Sequence, residues 1–221
     1  MTTPIQKQAF LEGGEADAWF TRNRASLEVA SPWRLELAAR IAAHVGANDR
    51  VLEIGCGQGA NLEELRRLIP VQAHGIDPSL QAVEAGLQRL PDADLQCGTS
   101  DRLPWPEEHF NLVWFGFCLY LVDRSLLFRS IAEADRVLAD GGTLAILDFE
   151  PDVPFKRPYH HRPGLWSYKM DYSKLLLANP AYRLIEKYSL SHAGTGWVSD
   201  PQERLGLFIL RKDTVHAYRH E

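Results

Sequence analysis

Val51-Leu52-Glu53-Ile54-Gly55-Cys56-Gly57-Gln58-Gly59 runs from an apolar strand into three closely spaced glycines, and a polar, helix-like segment opens near Asn61. A glycine turn after a strand lets the backbone approach a ligand without interference from Cβ, and the helix that follows presents unpaired N–H groups and a partial positive charge to anionic groups. Strand, turn and helix in this order build a cradle for a nucleotide-like cofactor. A turn that only reverses the chain rarely needs so many glycines so close together. Gly55-x-Gly57-x-x-Ala60 also fits the dinucleotide pattern G-x-G-x-x-A, so the turn by itself leaves a nicotinamide cofactor open.

Outward from the turn, strands alternate with helices. Residues 5–30 read as one or two helices broken at Gly13-Gly14, and Ser31-Pro32 reads as an N-cap with proline at the first helical position. Residues 61–69 form the helix after the turn, which Pro70 stops. A second strand over 71–77 ends in Asp77, about 20 residues past the turn, where a carboxylate can accept bonds from both ribose hydroxyls. A helix over 79–90 and a short strand over 94–97 follow. Residues 110–117 are apolar almost throughout, as a parallel strand covered on both faces must be. Within that run Gly116 marks close approach of a ligand or another backbone. A helix over 125–138 leads through Asp140-Gly141-Gly142 into a strand over 143–149, and two last strands are expected over 182–190 and 204–212, with a polar, frayed tail from Asp213 to Glu221. The pattern predicts a doubly wound α/β sheet.

The whole chain, 1–221, is of a size for one domain, and its 45% hydrophobic and 24% charged residues are globular values. No apolar run approaches the roughly 18 residues a membrane helix needs. Met1 to Gln8 lacks the order of a secretory signal, and Cys56, Cys97 and Cys118 form no CxxC pair, which together fit a reducing cytoplasm. A net charge of -5 argues against broad nucleic-acid binding. The sequence leaves a homodimer open without deciding the oligomeric state, and no cluster has metal-ligand spacing.

Glu53 two residues before Gly55, with Gly57 and Gly59 following, gives an E-x-G-x-G-x-G spacing that resembles the first motif of class I S-adenosylmethionine (SAM) dependent methyltransferases, of the type 11-like small-molecule kind. The resemblance implies a Rossmann-like, seven-stranded sheet, mostly parallel, with the last two strands as an antiparallel hairpin. It implies that Glu53, Gly55, Cys56, Gly57, Gly59 and Asn61 cradle the methionine end of SAM, with Asp77 and Pro78 at the ribose. The phrase Gly98-Thr99-Ser100-Asp101-Arg102-Leu103-Pro104-Trp105 resembles the family's G-D-x-x-x-L-P-[FW], but Thr99 stands where an aspartate usually receives the adenine amino group. Ser100 or Asp101 is then the alternative contact, or the adenine is held mostly by backbone and apolar walls. Phe115, Gly116, Phe117 and Tyr120 are implied to floor the site near the methyl group, and an N-terminal helical lid, 1–34, to bring Trp19 and Asn23 over the cofactor.

Residues 150–182 are too long for a simple connection, and Phe155 to Lys169 carries basic and aromatic side chains without an acid. Such a mixture binds an anionic group while aromatic faces hold a ring or sugar. Lys156, Arg157, Tyr159, Arg162, Trp166 and Lys169 are therefore expected to hold the acceptor. His160 or His161 is expected as a general base, with Tyr168 or Tyr172 orienting it. The expected reaction is O- or N-methylation of a small, anionic metabolite or glycan-type acceptor. An NAD(P)-dependent oxidoreductase on the same turn and a non-catalytic methyltransferase-like binding module are the competing readings.

Overall fold

The structure, a computed structural model, describes residues 5–29, 32–194 and 196–218. The N-cap expected at Ser31 lies outside the described residues. Three helices, α1 (Ile5–Leu11), α2 (Glu15–Glu28) and α3 (Pro32–Ala42), precede the sheet. Strands and helices then alternate as β1 (Arg50–Ile54), α4 (Ala60–Leu68), β2 (Gln72–Asp77), α5 (Leu80–Arg89), β3 (Asp94–Cys97), β4 (Phe110–Gly116), α6 (Leu127–Val137) and β5 (Leu138–Phe149). A two-stranded hairpin, β6 (Phe155–Pro158) and β7 (Trp166–Lys169), a short helix α7 (Ser173–Leu177), and strands β8 (Tyr182–Ser191) and β9 (Arg204–Lys212) complete the chain.

The sheet has seven strands in the order β3-β2-β1-β4-β5-β9-β8. β1 to β5 pair in parallel, β9 pairs antiparallel with β5, and β8 antiparallel with β9. β8 therefore runs in the same direction as β5, and its carboxyl end lies on the same edge as the carboxyl ends of β1, β2 and β4.

The central strand shows why the sequence is apolar throughout. Phe110, Val113 and Phe115 enter a core with Leu127, Ile131 and Val137 of α6. Leu112 and Trp114 point the other way, into a core with Leu37 and Ile41 of α3 and Leu62 and Leu65 of α4. Each such side chain taken out of water contributes about 1.5–3 kcal/mol, so one strand secures both helix layers.

Three boundaries differ from the sequence reading. β5 starts at Leu138, which pairs with Phe110; the register then shifts so that Leu112 faces Thr143, with Gly141 at φ 68° accommodating the extra residues. The segment 150–182, read only as an insertion, holds the β6–β7 hairpin followed by α7. The tail is held as far as it is described: Asp213 N donates to Ala181 O at 2.8 Å and Thr214 N to Asp140 Oδ1 at 2.8 Å. Among the described residues no helix is long and apolar enough to cross a membrane.

Candidate active site

At the carboxyl edge of the sheet, beneath α1, α2 and α3, lies a cavity of about 670 Å³. This is the place where an open α/β sheet binds ligands, and the volume is in the range of small-molecule sites. Its floor follows the strand order: Thr99 and Asp101 after β3, Asp77 and Pro78 at β2, Gly55 to Gly57 at β1, Gly116 to Tyr120 at β4, Leu147 in β5 and His192 after β8. The roof carries Phe10 of α1, Trp19 and Asn23 of α2, and Trp33 and Arg34 of α3.

The glycine turn is held in a shape other residues resist. Gly55, Gly57 and Gly59 have φ of 79°, 51° and 73°, a left-handed region that costs other L-residues strain. At Gly55 a Cβ would come within 2.6 Å of Cys118 Cβ, whereas at Gly57 it would meet no protein atom and would project into open space. Gly59 is buried as the N-cap of α4 and faces away from the cavity.

Asp77 organises this turn from β2. Its Oδ2 accepts from Gly57 N at 2.9 Å and its Oδ1 from Ser79 N at 2.9 Å, which leaves lone pairs on both oxygens for hydroxyl donors. Burial lifts its carboxyl to about 6, against the two backbone donors that favour the ionised form. Glu53 lies wholly buried under the turn. One oxygen accepts from Asn61 Nδ2 at 2.6 Å and the other has no partner among the described residues. Desolvation pushes this carboxyl up to about 8, opposed by the Asn61 bond and the Arg34 charge. A Cβ at Gly116 would overlap Glu53 Oε1, so this glycine makes room for the carboxylate as well as bordering the cavity.

Two further unpartnered groups sit at the same end. Gln58 Nε2 and Arg34 Nε are buried without an acceptor among the described residues, and both side chains line the cavity. Burial lowers the Arg34 pKa, and the charge of Glu53 opposes it. A buried polar atom without a partner is costly. Here the Arg34 guanidinium and the Gln58 amide line the cavity, with the Glu53 carboxyl buried beneath the turn behind them, a set of groups that matches an amino-acid zwitterion. Cys56 and Cys118 are not poised as thiolates, because burial pushes both thiols up.

The residues following β3 are partly committed elsewhere. Ser100 Oγ pairs with Ser130 Oγ at 2.7 Å, and Asp101 holds Lys7 of α1 at 2.6 Å. Phe115 is fully buried in the core and does not reach the cavity.

The acceptor residues expected in 150–182 do not line the cavity at all. They secure the roof and the hairpin instead. Tyr159 Oη donates to Glu15 Oε1 at 3.1 Å and packs on Phe10, and Arg162 Nη1 donates to Gly13 O at 2.8 Å. Arg157 bonds Gln202, Lys156 stacks over Trp166, and Lys169 is buried with Nζ donating to Gln202 O at 3.0 Å. Burial lowers the Lys169 ammonium to about 8. Tyr172 is wholly buried, donating to Tyr168 O and accepting from Arg124, whose guanidinium also lies over the Tyr168 ring. His160 and His161 are exposed on the connection between β6 and β7. A basic, aromatic composition also suits cation–π and carbonyl contacts in a small packed hairpin.

Among the cavity residues that the sequence reading did not name are Lys7, Trp33, Arg34, Leu147 and His192. For His192 a signal existed: it ends the strand that returns parallel to β5, hence on the ligand edge. For Arg34 none did, since its helical stripe reads as ordinary packing.

Residues 51–142 match a family model described as a methyltransferase domain. Over 110 residues the chain is 34% identical to the 27-O-demethylrifamycin SV methyltransferase of Amycolatopsis mediterranei, covering 47% of this chain and 39% of that protein. Over 137 residues it is 29% identical to a demethylmenaquinone methyltransferase of Listeria welshimeri, covering 58% of this chain and 56% of that one. The chain thus spans about half the length of the curated relatives it matches. The solved 1,6-didemethyltoxoflavin-N1-methyltransferase of Burkholderia thailandensis, with 1,6-didemethyltoxoflavin and S-adenosylhomocysteine bound, superposes with a TM-score of 0.72 at 18% identity, over 96% of this chain and 92% of that one. The cyclase SpnF superposes with a TM-score of 0.63 at 18% identity, over 81% and 80%. The second likeness shows that this fold alone does not fix a reaction.

Proposed function

We propose that this chain, whose residues 51–142 are a methyltransferase domain of the class I, SAM-dependent type, transfers the methyl group of SAM to an oxygen or nitrogen of a small-molecule acceptor. The observation that carries the reading is the pair of adjacent subsites at β1 and β2. Gln58 and Arg34 in the cavity wall, with Glu53 buried beneath the turn, complement an amino-acid zwitterion, and Asp77 beside them complements a diol. A dinucleotide pyrophosphate carries no cation for the buried Glu53 carboxyl and would hold it protonated, whereas an ammonium group would satisfy it, so the same geometry favours a zwitterion over a dinucleotide. The antiparallel β8–β9 hairpin differs from the six-strand order of dinucleotide folds in the same sense.

When bound, SAM supplies an activated methyl group on a sulfonium. The chain's part is to fix the donor's ends and to hold an acceptor in line with it, since orientation alone contributes much of such a rate. Gly57 lets the backbone approach, Asp77 and Glu53 accept bonds from the donor's polar groups, and Arg34 meets its carboxylate. The helices α1 and α2 form the lid that excludes water. Lys7 on Asp101, Gln6 Nε2 on Leu121 O at 2.6 Å, and Ser79 Oγ on Asp17 Oδ1 at 2.7 Å fasten that lid to the sheet edge.

Incubating the protein with SAM and fractionated small-molecule extracts, and following S-adenosylhomocysteine by mass spectrometry, tests catalysis. Release that depends on both protein and extract is expected. Binding of SAM with no release across all fractions would favour the non-catalytic module.

A further inference from the structure

The SAM reading accounts for the β1–β3 half of the cavity and leaves the β4–β8 half unassigned. That half is walled by Phe117, Tyr120, Leu147 and His192, with Phe149 standing behind them. The rings form one cluster: Phe117 lies 5.0 Å from Tyr120, 5.0 Å from Phe149 and 5.7 Å from His192, centroid to centroid. Phe117 holds φ of 60°, a conformation disfavoured for a bulky residue, and its ring forms part of the wall.

Cationic charge is missing from this wall, and the charged side chain that lines the cavity just beyond β4 is an acid, Asp123. Among the described residues that line the cavity the cationic side chains are Lys7 and Arg34, one bonded to Asp101 beside β3 and the other beside Glu53 at β1. Lys169 is buried with its Nζ against the Phe149 ring and on Gln202 O, and Arg157 is bonded to Gln202; neither reaches the cavity. The buried charge nearby is an acid. Asp148 is 1% exposed and accepts from Tyr120 N at 3.2 Å and Phe149 N at 2.8 Å. An anion placed here would lose its water with no countercharge to replace it. A flat, uncharged ring would stack.

Of the ionisable side chains on this side of the cavity, burial holds the Cys118 thiol and, with Asp148, the Tyr120 phenol protonated, and Asp123 accepts from Gln6 N and Ser125 N, which leaves His192 as the candidate base. Its backbone N donates to Glu203 O at 2.8 Å, which fixes the residue at the end of β8, and its ring nitrogens have no hydrogen bond among the described residues.

We propose that Phe117, Tyr120, Leu147 and His192 form the acceptor subsite, that it takes an uncharged aromatic molecule bearing a hydroxyl, and that His192 receives the hydroxyl proton. This rests on the SAM reading and replaces the anionic acceptor expected from residues 150–182. In the step, the acceptor O–H bond breaks and its proton passes to a His192 ring nitrogen. The oxygen electron pair forms the new C–O bond to the methyl carbon, and the C–S pair stays with sulfur.

Calorimetry on the full chain saturated with S-adenosylhomocysteine tests the subsite, with 2-naphthol and 2-naphthyl phosphate as paired probes. 2-Naphthol is expected to bind at least about tenfold more tightly than the phosphate, and Phe117→Ala to weaken it by about tenfold while S-adenosylhomocysteine affinity stays within about twofold. Equal or tighter binding of the phosphate, no binding of 2-naphthol, or indifference to Phe117→Ala would overturn the proposal. With SAM present, His192→Gln is expected to lower kcat for 2-naphthol methylation by about 100-fold or more, leaving KM within about threefold. An unchanged kcat would overturn the role of His192. Failure of the wild type to bind S-adenosylhomocysteine at all would instead bring down the SAM reading beneath it.

Discussion

The two halves of the cavity floor are built on opposite principles. At β1 and β2 the site is polar and organised largely by the backbone: Asp77, on Gly57 N and Ser79 N, lines the cavity with lone pairs to spare, and Glu53 lies buried beneath the turn on Asn61. At β4, β5 and the end of β8 the wall is aromatic surface with one histidine, the proposed acceptor subsite. The first kind of site tolerates few changes, because each group holds the turn as well as the ligand. The second divides its work among several rings and so can be reshaped without losing the donor. That difference predicts where substitutions will be severe.

Asp77→Asn should separate the halves most sharply. An amide nitrogen at either position would face the N–H of Gly57 or Ser79, donor against donor, and a charged acceptor for the ribose would be lost. An increase of about 100-fold in the S-adenosylhomocysteine Kd is expected by calorimetry, from charge-assisted bonds of about 1.5–3 kcal/mol each. A change below about threefold would mean that β2 does not hold the ribose.

Glu53→Gln keeps the shape beneath the turn and removes the group that can ionise to meet a bound ammonium. About a tenfold loss of affinity is expected. Because the wild-type carboxyl sits at about 8 and a bound ammonium favours its ionised form, binding near neutrality should release a proton. Wild-type affinity should then rise as pH increases toward 8, and the variant should lose that slope. Calorimetry in buffers of different ionisation enthalpy measures both.

Arg162→Ala probes the hairpin, which contributes to neither floor. Removing the bond to Gly13 O should loosen α1 and α2 and raise the S-adenosylhomocysteine Kd by about two- to fivefold, with selectivity between 2-naphthol and its phosphate unchanged. Altered selectivity would return the hairpin to the acceptor site.

The smallest effect is on stability. Asp77 and Glu53 bind protons more tightly folded than unfolded, since their carboxyls rise to about 6 and about 8 from ordinary values of 3.8 and 4.5. Between those limits the folded state holds more protons, so stability falls as pH rises from about 4 through about 8. Thermal denaturation of the ligand-free protein should show a Tm decline of a few degrees over that interval, and Glu53→Gln should flatten its upper part. A Tm that rises across the interval would contradict the burial of these groups.

The contrast also explains what could be read from the sequence. Gly55, Gly57 and Gly59 announce a backbone conformation, and a backbone conformation is a local property, so turn, strand and helix were legible together. Asp77 was legible because strand length and sheet direction fix where a strand-terminal acid lies. The composition of residues 155–169 announces only that cations and rings adjoin. Whether they face a ligand or one another depends on packing between segments far apart in the chain, such as Arg162 with Gly13 and Lys169 with Gln202. His192 and Arg34 reach the cavity through the same kind of long-range placement. The helix-facing face of β4 likewise hid Phe115 in the core while its neighbour Phe117, turned by a positive φ, reached the cavity.

Calorimetric titration of the full chain with S-adenosylhomocysteine tests the donor half most directly. Saturable one-to-one binding in the micromolar range is expected, abolished or weakened about 100-fold by Asp77→Asn. No heat at millimolar ligand, together with enhanced NADH fluorescence on mixing, would contradict it.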